Sequence, residues 1–246
     1  MGEIISVVSG KGGTGKTTLC AAIASCLAVE GKKVLCIDAD IGLRNLDISM
    51  GMSDYPIIAF TDVMSGHYQL SDATEHGDLP NLFLLTAPVR ENDALVDAEE
   101  FGKMLEEVRE NFDFCLIDSS AGIGSSFRLT TDYADHCLVV CTPDPASLRD
   151  AERVAELLLL AGKENIHLIV NRITPKLFPK MDLTVDDIMD DVGLPLLGLV
   201  PEDHHVVLAA SGGDALVFAE TGGAAEACLR ISRRLRGVPT GLMKLR

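Results

Sequence analysis

The stretch VVSGKGGTGKTT, Val7 to Thr18, restricts the fold more than any other part of the chain. An apolar, β-branched run enters it, and an alanine-rich, helix-forming run leaves it. Between them lie Gly10, Gly12, Gly13 and Gly15. Glycines at that density let the backbone take positive φ and turn several N–H groups toward one point. A helix beginning there adds its positive N-terminus, so the unit is suited to holding anionic oxygens. Gly10, Gly15, Lys16 and Thr17 fit the pattern G-x-x-x-x-G-K-[ST], in which the lysine reaches the β- and γ-phosphates and the hydroxyl binds Mg²⁺. Gly10, Lys11, Gly12, Gly13, Thr14, Gly15, Lys16, Thr17 and Thr18 are therefore candidate nucleotide-binding residues. Lys11 is one cation more than the pattern requires.

The rest of the chain alternates short β-branched runs with helical stretches. Strands are expected at Ile4–Ser9, Lys33–Asp38, Asn81–Ala87, Phe112–Asp118, His136–Cys141, Ile166–Val170 and Leu196–Val200. Several are apolar throughout, as strands covered on both faces are. Asp144 followed by Pro145 reads as the N-cap and first residue of a helix. This alternation predicts an α/β fold: one doubly wound, mostly parallel sheet with helices on both faces. Residues 1–236 form the expected domain and 237–246 a short basic, apolar tail. Ligands of such sheets sit at the carboxyl ends of the strands. Polar residues cluster at those ends here. Asp118 closes the fourth strand and is a candidate Mg²⁺ ligand, with Gly122 placed to offer an N–H to the γ-phosphate. Asp38 and Asp40 close the second, where one carboxylate can order a Mg²⁺ water and the other the attacking water; helix capping is the alternative. Asn171-Arg172 and Pro201-Glu202-Asp203 are weaker, though an Asn amide suits an adenine edge.

Composition excludes several classes. No stretch of 18 residues is apolar throughout, which argues against a transmembrane helix. Met1-Gly2-Glu3 leads directly into an apolar run without the basic segment of a secretory signal, and Ser6 falls inside the first strand rather than in a myristoylation arm. The seven cysteines form no C-x-x-C pair and read as reduced core thiols. His204-His205 reads as a surface helix start rather than a metal site. A net charge of −16 opposes a broad nucleic-acid face. Cys228–Arg246, however, carries six basic residues and no acid, an asymmetry that suits an anionic surface.

The GKGGTGKT loop with its extra lysine resembles the deviant Walker A motif of the ParA/MinD superfamily of P-loop ATPases. DADIGLRNLD, LIDSSAG, TPDPASLRDAER, LIVNRITPK and LLGLVPED resemble its division-site-regulating branch, over about Ile4 to Phe218. The resemblance implies ATP hydrolysis with Mg²⁺ in a dimer formed face to face around two ATP molecules. Lys11 would then reach the partner subunit's phosphates, supplying charge as an arginine finger does. It also implies that Lys16 and Thr17 hold nucleotide and Mg²⁺, that Asp38 and Asp118 order the Mg²⁺ shell, and that Asp40 positions the attacking water. Asn171 and Pro201–Asp203 would flank adenine. The helix from Asp144, with Arg44-Asn45, would lie near the dimer and partner surface. Two features depart from the pattern: Ser120 replaces a proline in the loop after Asp118, and the segment GVPTGLMKLR is shorter than the usual amphipathic membrane-targeting helix.

The function implied is ATP-driven placement of the division site, with a MinC-like division inhibitor, possible control by a MinE-like topological factor, and reversible association with the inner face of the cell membrane. A ParA-like partitioning ATPase is the alternative, opposed by GLRNLD and the acidic body. A cluster-carrying relative would need cysteine at Ala121. Intact Lys11 and Asp40 argue against a protein that binds without turnover.

Overall fold

The computed structural model describes residues 1–41, 43–88, 96–181, 183–219 and 222–245, and the side chains of all of these but 125 and 179. Gly42 and Arg246, both inside motifs noted above, lie outside the described residues. The described residues form an eight-stranded sheet, β1 Glu3–Val8, β2 Val34–Ala39, β3 Thr74–Glu75, β4 Leu82–Leu85, β5 Phe114–Ser119, β6 His136–Cys141, β7 Ile166–Ile173 and β8 Leu196–Pro201. The order is β3-β4-β2-β5-β1-β6-β7-β8. Every pairing is parallel except β3 with β4, a two-residue antiparallel edge that the sequence patterning did not indicate.

Each strand splits its side chains between two apolar layers. In β1, Ile4 and Val8 face one layer while Ile5 and Val7 face the other. The second layer is roofed by α1 Lys16–Val29 and α9 Gly223–Leu235, with Leu19, Ile23, Leu27, Cys228 and Ile231 buried between helices and sheet. The first is roofed by α4 Ala98–Asn111, α5 Ser125–Asp132, α6 Pro145–Leu160 and α7 Val185–Val192. In α4, Phe101, Met104, Leu105 and Val108 recur at helical spacing and are buried, while Asp97 caps the helix by accepting from the Glu99 and Glu100 N–H groups. Burying a side chain the size of Ile23 or Leu27 contributes about 1.5–3 kcal/mol, so the two layers dominate the stability. All seven cysteines are free and buried, as expected from their apolar settings.

Short helices complete the chain: α2 Leu46–Ser49 and α3 Phe60–Met64 after β2, and α8 His205–Gly212 after β8. Beyond α9 the tail returns to the domain. Arg234 donates to the Thr240 carbonyl and Arg230 to that of Gly241. Leu242 and Leu245 pack on one core layer and Met243 on the other, around the β8 edge. Arg234 also donates to the outward carbonyls of Leu196 and Leu197 in β8. The described part of the segment from 237 thus packs against the domain.

Candidate nucleotide site

The strand order explains why distant motifs meet. β2, β5 and β1 are neighbours, so their carboxyl ends bring together Asp38, Asp118 and the glycine loop. Register sets Asp38 directly beside Asp118, and Asp118 beside Val7. Gly15 caps α1 with φ +88°, and a Cβ there would stand 2.3 Å from Asn171 Nδ2. Only glycine fits that position on both counts. At Gly10 a Cβ would come within 2.6 Å of Asp150 on α6, so the loop is also clamped from that side.

Lys16 is the first residue of α1 and is 6% exposed; its Nζ lies 2.5 Å from Asp118 Oδ1. Asp118 Oδ2 and Thr14 Oγ1 are buried without a hydrogen-bond partner. Asp38 accepts from the N–H groups of Asp40, Asn45 and Leu46. It therefore also caps α2, so the capping alternative holds for Asp38 alongside its place in the site. Burial first, and the neighbouring Asp118 second, push the Asp38 carboxyl up to about 6, against the N–H groups of Asp40 and Leu46. Burial also raises Asp118, outweighing Lys16. Two buried carboxylates, one with an orphaned oxygen, beside a hydroxyl residue in the first turn of α1 make a donor set that suits Mg²⁺. Asp38 and Asp118 are the residues that would hold it, with Thr17 alongside. Asp40 is half-buried at the end of the same strand.

Lys11 sits at the outer rim. Its Nζ pairs with Asp144 Oδ1 at 3.0 Å, and the two side chains are 35% and 46% exposed. Asp144 also accepts from the Thr142 hydroxyl and from the Ser147 N–H as N-cap of α6, with Pro145 first in the helix as expected. Partial burial opposes its ionisation, but the Thr142 and Lys11 bonds prevail and hold it at about 2. Arg44 takes φ +37°, with its Nε buried and unpartnered, so the loop after Asp40 is held in an unusual conformation.

Two of the expected ligand groups also make contacts within the protein. The Gly122 N–H, assigned to the γ-phosphate, donates to the Ser9 carbonyl at 2.9 Å and ties the two loops together. The Asn171 amide, assigned to adenine, donates to the Thr14 carbonyl at 2.8 Å and braces the glycine loop from behind. Arg172 adopts φ +58° at an irregular register of β7; it pairs with Glu202 at 2.8 Å and reaches the Gly13 carbonyl at 3.3 Å. Pro201, Glu202 and Asp203 do line a cavity of about 310 Å³ with Asn171 and Arg172. Val206 and Val207 of α8 form another wall of that cavity, which motif reading did not find. No residue of α8 is buried although the helix is strongly apolar. An apolar helix beside a base-sized cavity is the signal that could have been read.

Comparison with known proteins agrees with this geometry. The profile of the CobQ/CobB/MinD/ParA nucleotide binding domain matches residues 5–217. The septum site-determining protein MinD of Helicobacter pylori is 37% identical over 246 residues, 96% of this chain and 91% of its own. The MinD chain in a MinC:MinD cell division protein complex from Aquifex aeolicus superposes with a TM-score of 0.91 at 37% identity, covering 99% of both chains. MinD complexed with Mg-ADP from Pyrococcus horikoshii gives 0.84 at 29% identity, covering 96% of both. With its glycine loop, paired carboxylates and strand order in place, the chain belongs to the CobQ/CobB/MinD/ParA nucleotide-binding family and, within it, to the MinD septum site-determining proteins.

Proposed function

We propose that the chain hydrolyses ATP in a nucleotide-bridged homodimer and uses that cycle to recruit a division inhibitor to the membrane and so place the division site. The observation that carries the reading is the unequal placement of the two loop lysines: Lys16 buried against Asp118, Lys11 exposed on the rim against Asp144. Lys16 turns from Asp118 toward the β- and γ-phosphates, where the loop N–H groups converge. That releases Asp118 to act with Asp38. Asp38, Asp118 and Thr17 would hold Mg²⁺, which would supply positive charge to the transferring phosphate. Asp40 orients the attacking water. Lys11 leaves Asp144 and meets the γ-oxygens of the partner subunit's ATP, stabilising charge that develops in transfer. A cation worth little in its exposed pair becomes worth more at a dry dimer face.

The inhibitor reading is supported by the likeness to the MinD chain of the Aquifex MinC:MinD complex. Control by a MinE-like factor is part of the same reading. Among the described residues no helix is long and apolar enough to cross a membrane. Peripheral association through Leu242, Met243, Lys244 and Leu245 requires those residues to leave the β8 edge, and two tails on one dimer then act together.

The decisive test is light scattering and phosphate release with Lys11→Ala. The variant is expected to bind one nucleotide per chain as wild type does, and to lose ATP-dependent dimerisation and turnover. Normal turnover would refute the in-trans role. Sedimentation with vesicles of anionic lipid tests the tail separately: binding is expected only with ATP, and equal sedimentation after deletion of Gly241–Arg246 would remove the membrane role while leaving the ATPase reading intact.

A further inference from the structure

The two histidines at the start of α8 are indeed a helix start, yet their surroundings do more than begin a helix. Asp203 is the fixed point. Its Oδ1 accepts from the His205 N–H and its Oδ2 from the Ala224 N–H, each at 2.9 Å, so one carboxylate caps α8 and α9 together. The side chain is only 9% exposed. Gly223 makes room for it: a Cβ there would stand 2.0 Å from Asp203 Oδ2. The same carboxylate holds the His205 ring, Nδ1 to Oδ1 at 2.8 Å. The His204 ring lies beside that of His205, with centroids 4.2 Å apart and planes tilted by 31°.

Capping accounts for Asp203 but not for the imidazoles. His204 is the N-cap residue of α8, and its side chain makes no capping bond. One donor atom from each of Asp203, His204 and His205 lies within 4.8 Å of the other two. All three line a cavity of about 650 Å³ that is bounded by Pro201, Arg230 and Met243. The other two carboxylates there are engaged, Glu202 with Arg172 and Glu226 with Arg230.

We propose that Asp203, His204 and His205 bind a divalent transition-metal ion of the Zn²⁺ class, at a position separate from the phosphate-end carboxylates. Two imidazole nitrogens and one carboxylate oxygen favour Zn²⁺, Co²⁺ or Ni²⁺, whereas Mg²⁺ favours oxygen alone. At the Asp203–His205 contact the ion takes the place of the Oδ1–Nδ1 hydrogen bond and binds the neutral ring at Nδ1, the ring's one proton residing on Nε2. Asp203 is already ordered by two helix N-termini. His204 is exposed and closes the site by rotation of its side chain. Water completes a tetrahedron around three protein ligands.

The test is calorimetric titration of the full chain with Zn²⁺ in the presence of saturating Mg²⁺ and ADP, which occupies the phosphate-end carboxylates. One Zn²⁺ per chain is expected. Affinity should fall at least ten-fold in His204→Ala and in His205→Ala, and stay unchanged in His67→Ala, an exposed histidine elsewhere. Absorption of bound Co²⁺ should appear in wild type and disappear in the same two variants. Absence of one-site uptake by wild type, or a double variant at positions 204 and 205 that binds Zn²⁺ as tightly as wild type, overturns the proposal.

Discussion

The inner and outer ends of one glycine loop carry two lysine–aspartate pairs with opposite physics. Lys16 and Asp118 are 6% and 1% exposed, so neither charge reaches water and each depends on the other. Lys11 and Asp144 are a third to a half exposed, and water screens both. Removing one partner of a buried pair costs about 3–5 kcal/mol, whereas an exposed pair contributes about 0–1 kcal/mol. The same residue types, five positions apart, therefore have different duties. The inner lysine is held in place by the electrostatics of the folded chain. The outer one is cheap to release. In the proposed mechanism the lysine that acts on another molecule is the one that costs less to release.

Lys16→Ala breaks this contrast most severely. It leaves Asp118 and Asp38 buried together without a cation. Nucleotide affinity is expected to fall by about a hundred-fold or more, the loss of charge-assisted bonds worth about 3 kcal/mol. Calorimetry with ADP checks the first effect. Urea unfolding checks the second, a loss of stability approaching the buried-pair cost, and an unchanged midpoint would show that Lys16 does not balance Asp118.

Asp38→Asn probes the inner end from the other side, with a smaller effect of opposite sign. Asp38 titrates near 6 when folded, against about 3.9 in an unfolded chain. The folded state thus holds its proton more tightly. Stability falls as pH rises from about 4 to 6, and a penalty of about 3 kcal/mol is fully present above 6. The amide removes that penalty but loses an acceptor for the Asn45 and Leu46 N–H groups, worth about 1 kcal/mol. The nucleotide-free variant is expected to be about 1–2 kcal/mol more stable at pH 7.5 and slightly less stable at pH 4. Denaturation at the two pH values reads the crossover; equal differences at both would rule out a charge penalty at Asp38.

Asp144→Asn sharpens the outer end and has the smallest effect. Asparagine still caps α6, so stability should move by less than about 0.5 kcal/mol. Lys11 is freed, and the ATP concentration needed for half-maximal dimerisation should fall two- to five-fold, by about 0.5–1 kcal/mol. Gel filtration across an ATP series measures it. A variant that dimerises less readily would mean that Asp144 helps Lys11 rather than restraining it.

The parts of the site legible in sequence are those set by local chemistry. The glycine loop, β6 at His136–Cys141 and the Asp144-Pro145 helix start each depend on a few adjacent residues and were read with their bounds. What stayed hidden depends on long-range contacts. Asn171 meets Thr14 across 157 positions, and Lys11 meets Asp144 across 133. Side-chain chemistry made Asn171 a candidate reader of adenine; its bracing contact with the glycine loop is not legible from the sequence. The contact of the Gly122 N–H with the Ser9 carbonyl was hidden for the same reason. β3 escaped notice because two residues carry no periodicity.

The two margins of the sheet have a consequence for assembly. β3 offers two residues, too short a template for another strand. At the opposite margin the Arg234 guanidinium occupies the carbonyls of Leu196 and Leu197 that an incoming strand would need. A chain blunted at both margins resists growth by lateral strand addition, the open-ended route toward fibrils. Association is thereby steered away from the sheet margins and toward loop and helix surfaces, where a contact need not repeat without end.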